Sequence, residues 1–93
     1  MESTLLNGRY TAAEAERLMT ELFRVKTDFH MAKINTLNMM EEDIAHSEKR
    51  IYELEEELRK ITDLIRKRDY KHIAIRASIV LEYCPDYHNA PVA

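Results

Sequence analysis

The sequence predicts a mainly α protein: an antiparallel, coiled-coil-like helical hairpin with a short C-terminal β-strand, assembled as an oligomer. Three observations carry this. From Leu37 to Ile65, apolar residues recur at alternating steps of three and four: Leu37, Met40, Ile44, Ile51, Leu54, Leu58, Ile61 and Ile65, with Ser47 the one interruption. That spacing draws a seam along a long helix, and a seam needs a partner helix. An earlier stripe, Ala15, Leu18, Leu22, Val25, Phe29 and Ala32, runs in a different phase, and the slip between the two falls at Asn35–Asn38. After Asp69 the rhythm changes to strict alternation, the signature of a half-buried strand.

The 93 residues allow one domain, spanning 1–93. With 45% apolar and 33% charged residues the chain is too apolar for disorder. Its single Gly and two Pro (Gly8, Pro85, Pro91) lie near the ends, so nothing from Arg9 to Cys84 forces a break. Long helices built from so short a chain bury little surface by themselves, and association is the usual remedy. Cys84 is the only cysteine, which rules out an intrachain disulfide and fits a reducing compartment. The first residues lack a basic and apolar leader, and the longest strongly apolar stretch, Ala77–Leu81, is too short to cross a bilayer. The expected location is the cytoplasm, with no membrane partner.

Residues 1–10 form an extended lead-in, with Asn7-Gly8 favouring a tight turn at positive φ. A small hairpin of residues 4–6 against 9–11 is an alternative to an irregular turn. The first helix is predicted over 11–38. Thr11-Ala12-Ala13-Glu14 is a capping box, in which each residue can satisfy the other's amide. Its core stripe is the Ala15–Ala32 series above, and Met19, Phe23, Ile34 and Leu37 lie beside it. That face is wider than one neighbour needs. At the slip, Asn35, Thr36 and Asn38 are the poorest helix formers nearby, which favours a reversal of direction over one continuous helix. The second helix follows over 41–68, where Glu55–Arg59 and Glu56–Lys60 suit i,i+4 pairing.

Over 72–84, the set Ile73, Ile75, Ala77, Ile79, Leu81 and Tyr83 is wholly apolar, whereas four of its six alternating partners are polar or charged. A strand is the preferred reading and a helix the alternative. Pro85 ends either, leaving 85–93 as a loose tail.

Net charge is −3, which argues against bulk attraction to nucleic acid, but the total hides a split. Glu41–Glu57 holds eight acids and two bases, and Leu58–Arg76 seven bases and two acids. The split complements the helix dipole and would also favour antiparallel contact between copies of the second helix. Arg66, Lys67, Arg68, Lys71 and Arg76 form a basic patch interleaved with Tyr70. Such a patch can meet phosphates or simply be a solvated helix end.

Candidate chemistry is sparse. Glu42 and Asp43 stand at helical spacing to His46, but Ile44 takes the seam and no second such pair exists. Cys84 and His88 lack the further ligands that zinc requires. His30, beside Phe29 and Lys26, suits a buried histidine paired across an interface, with a pH-responsive contact as the sharper alternative. The five Met residues suggest soft packing near the turn. No enzyme activity, cofactor or metal is expected.

The spread of Leu6-Asn7-Gly8, Thr11–Ala15, Phe29-His30 and Glu48–Ile51 resembles a group of small, uncharacterised bacterial proteins. The resemblance covers most of residues 5–83 and implies a helical hairpin with a short extended tail. It brings no site residues with it. This chain departs from the group in having neither Gly nor Pro between its helices.

The functional expectation is a self-associating interaction or scaffold module. Its interface is expected at Leu18, Met19, Leu22, Phe23, Phe29, Ile51, Leu54, Leu58, Ile61 and Ile65. The partner is a second copy, as a homodimer or higher oligomer, with another protein next in order. A nucleic-acid-binding regulator using the basic patch is the rival reading.

Overall fold

The capping box fixes where the first helix starts. Glu14 N–H donates to the Thr11 hydroxyl at 3.1 Å, and Thr11 N–H donates to the Glu14 carboxylate at 2.9 Å. The reciprocal bonds hold the Glu14 carboxyl below its usual range, first through the Thr11 backbone. The computed structural model describes residues 1–35, 41–67 and 71–85. Its elements are β1 (Glu2–Tyr10), α1 (Ala12–Ile34), α2 (Glu41–Lys67) and β2 (Ile73–Val80).

Helix α1 ends sooner than the predicted 38. Asn35 is its C-cap, with its N–H bonded back to Met31 C=O at 3.2 Å. Helix α2 matches its prediction closely. The chain reverses between them, so one continuous helix is ruled out: Glu16, in the second turn of α1, is gripped by Arg66 at the far end of α2. The predicted slip residues 36–38 lie outside the described residues, as does Arg68.

The helices pack along one seam. From α2 it takes Ser47, Leu54 and Ile65, all buried, with Ile44, Ile51, Leu58 and Ile61 half-buried. From α1 it takes Ala15 and His30, both fully buried, with Met19, Phe23, Thr27 and Ile34 half-buried. The 3–4 rhythm of α2 thus does what its spacing predicts, and Ser47 keeps its place in it. In α1 the ranking is reversed: the residues expected to flank the core form the seam. Only Ala15 belongs to both sets, and Leu22, Val25, Phe29 and Ala32 are exposed.

The main correction concerns the first ten residues. Asn7-Gly8 is no turn; no residue described has positive φ, and both lie inside β1, paired with Arg76 and Ile75 of β2. The strands run antiparallel, from Tyr10↔Ile73 to Glu2↔Val80, with a bulge between Thr4 and Leu6. Beyond them Met1 and Leu81 exchange backbone bonds of 3.0 and 2.8 Å. The local turn signal loses because β2 supplies a full ladder of backbone partners. Tyr10 also covers the glycine: its hydroxyl comes within 3.5 Å, and its ring within 3.7 Å, of where a Gly8 side chain would begin. One face of the ribbon carries Leu6, Gly8 and Tyr10 opposite Ala77, Ile75 and Ile73, all half-buried except where alternation turns the next residue out. Strand β2 is shorter than the predicted 72–84, ending at Val80, and its helical alternative is ruled out. Residues 86–93 of the predicted tail lie outside the described residues.

Candidate protein-interaction surface

An α-helix turns 100° per residue, so stripes in different phase occupy different sides of its cylinder. On α1 the seam series centres on Met19, Phe23 and His30. The series Leu18, Leu22, Val25, Phe29 and Ala32 centres roughly 130° away around the axis, on a side that α2 leaves open. Leu18 is half-buried, but Leu22, Val25 and Phe29 are 37%, 70% and 47% exposed. This is a continuous apolar strip rather than scattered single side chains, which would need no explanation. The Lys33 ammonium lies 4.7 Å from the centroid of the Phe29 ring, whose other neighbour is the His30 ring, edge-on at 5.6 Å.

The ten predicted interface residues therefore divide. Leu18, Leu22 and Phe29 lie on the open strip. Met19, Phe23, Ile51, Leu54, Leu58, Ile61 and Ile65 are taken up by packing between helices of the same chain. Val25 and Ala32, which sequence reasoning placed in the stripe but left out of the interface, belong to the strip. Their 4-3-4-3 spacing with the other three was the available signal.

Among the described residues, ion pairing around the helices is local except for Arg66–Glu16, which joins α2 to α1. Arg59 does not use Glu55; its forked guanidinium reaches Glu56 at 3.1 Å and Asp63 at 3.2 Å. Arg50 meets Glu53 at 2.7 Å, and Arg17 meets Glu21 at 3.3 Å. The predicted basic patch is partly spoken for. Arg66 bonds Glu16 with two nitrogens, which lowers the Glu16 carboxyl and raises the guanidinium. Lys67, Lys71 and Arg76 are exposed.

His30 is buried inside the chain rather than across an interface, and neither ring nitrogen has a hydrogen-bond partner among the described residues. Burial pushes its pKa down, and Lys33 and Lys26 of α1 and Arg50 and His46 of α2 push the same way. Glu42, Asp43, His46 and Cys84 are all exposed, and His88 lies outside the described residues. Among the described residues, no three His, Cys, Asp or Glu side chains gather to hold a metal, and no helix is long and apolar enough to cross a membrane. Comparison with known families, curated proteins and solved structures finds no match, and so does not bear on the resemblance to the small bacterial hairpin proteins.

Proposed function

We propose that this chain is a self-associating interaction module whose contact surface is the open strip of α1. The observation that carries the reading is the exposure of Leu22, Val25 and Phe29 in register on one helix face. Covering the exposed part of each is worth on the order of 1 kcal/mol. That gain works against the entropy of association, so assembly is expected to depend on concentration. The intrachain core gives the same pressure: Ala15, Leu54 and Ile65 are the buried apolar residues among those described. The nucleic-acid reading has less support, since Glu16 already neutralises Arg66.

Sedimentation equilibrium tests the proposal. The wild-type chain is expected to exceed its 11.0 kDa monomer mass at micromolar concentration. The double variant Val25→Glu/Phe29→Glu is expected to keep its helical circular dichroism and sediment as a monomer. A monomeric wild type, or a variant that still associates, overturns it.

A further inference from the structure

The strip carries a second layer of information in its flanking charges. On one side, the residues just before Leu22 and Phe29 are the acids Glu21 and Asp28, while Arg17 and Arg24, which precede Leu18 and Val25, lie farther from the strip and Arg17 holds Glu21 at 3.3 Å. On the other, Lys26 follows Val25 and Lys33 follows Ala32, with Met19 in the equivalent place after Leu18. Glu21, Asp28 and Lys26 are exposed, and Lys33 is half-buried against Phe29. Lys26 and Asp28 form no ion pair with any described residue.

From this we infer that the occupant of the strip is α1 of a second copy, lying parallel and in register. The inference rests on the self-association reading above and fixes its geometry. Two helices joined by such a 4-3-4-3 strip meet along a left-handed seam. In a parallel pair, the residue before one core position faces the residue five places later on the other helix. Glu21 then meets the partner's Lys26 and Asp28 the partner's Lys33, and two-fold symmetry doubles both pairs. In an antiparallel pair the same sides face their own kind, acid to acid and lysine to lysine. Exposed ion pairs are individually weak, so the charges decide direction while the apolar strip supplies affinity. The α2 seam lies roughly 130° around α1 from the strip, so a helix seated on the strip adjoins a different face from α2. The result is a row of four helices with both α1 at the centre and both ribbons at the same end.

Disulfide trapping in the full chain separates the outcomes. With Cys84→Ala as background, Leu18→Cys and Ala32→Cys are prepared as two separate proteins and oxidised with glutathione disulfide, alone and mixed. Parallel in-register pairing places each position opposite itself, so each protein alone is expected to give a covalent dimer of about twice the 11.0 kDa chain. Using both ends of the strip guards against one substitution disturbing the fold. Cross-linking only in the mixture means an antiparallel pair and overturns the inference while leaving self-association standing. No cross-link in samples that sediment as dimers means another surface is used, and also overturns it. Samples that sediment as monomers overturn the self-association reading itself.

Discussion

His30 is where one side chain most directly governs stability. Unfolded, its imidazole takes a proton near pH 6.5. Folded, burial and four surrounding cationic or titratable side chains resist that proton. The unfolded chain therefore binds more protons as pH falls, and stability is full above about pH 6.5 and lost as pH drops toward the lowered native value. Urea midpoints at about pH 7.5 and about pH 5.5 are expected to differ, and His30→Leu to shrink the difference. Because neither ring nitrogen is bonded to any described residue, that variant is also expected to be as stable as wild type or more so at neutral pH. Equal wild-type midpoints at the two pH values would remove His30 from this role. Thr11→Ala is expected to cost about 1 kcal/mol by deleting the N-cap; a loss under about 0.2 kcal/mol would contradict the cap's importance. Gly8→Ala works in the opposite direction. The backbone there is not left-handed, and the new methyl meets Tyr10 at ordinary contact distance. A gain of about 0.4–1 kcal/mol is expected from a less flexible unfolded chain, checked by the same urea titration.

At the scale of elements, α1 is a helix with two apolar sides, and this is what made it hard to read. Its seam includes Thr27 and His30, so it looked like the flank, whereas the open strip is apolar throughout and looked like the core. Periodicity identifies stripes but not which one a neighbour covers. The single stripe of α2 left no such choice and was legible from Ile44 to Ile65, Leu37 and Met40 lying outside the described residues. Strand β2 was legible from alternation alone. Strand β1 was not, because its partner residues stand near the other end of the chain while Asn7-Gly8 gives a strong local turn signal. Reversing the basic flank of the strip makes the element-level prediction. Lys26→Glu/Lys33→Glu places acids on both sides, so self-association is expected to weaken at low salt and partly recover as salt screens the repulsion. Sedimentation at two ionic strengths checks it, and association equal to wild type at low salt would show that these charges do not steer the contact.

Across the whole molecule, mass is spread thinly. The radius of gyration is 16.1 Å, against about 12 Å for a compact chain of this length. The extents of 47 × 29 × 16 Å describe a slab little more than one helix thick. The helical pair and the β-ribbon are each well joined internally, but the ribbon touches α1 only sparingly. Two strands alone are marginal in water. Amide hydrogen exchange is therefore expected to open the ribbon before the helical seam, and uniform protection across both would contradict this division. The long span of the ribbon's ladder also sets an order of events during synthesis. Residues 2–10 leave the ribosome before both helices and well before their partners at 73–80. The helices close through nearer neighbours, while the ribbon waits for contacts about seventy residues apart, as between Arg9 and Ala74 or Glu2 and Val80. Through that interval the first strand made carries two unsatisfied edges, either of which another nascent copy could pair with before the chain's own β2 arrives.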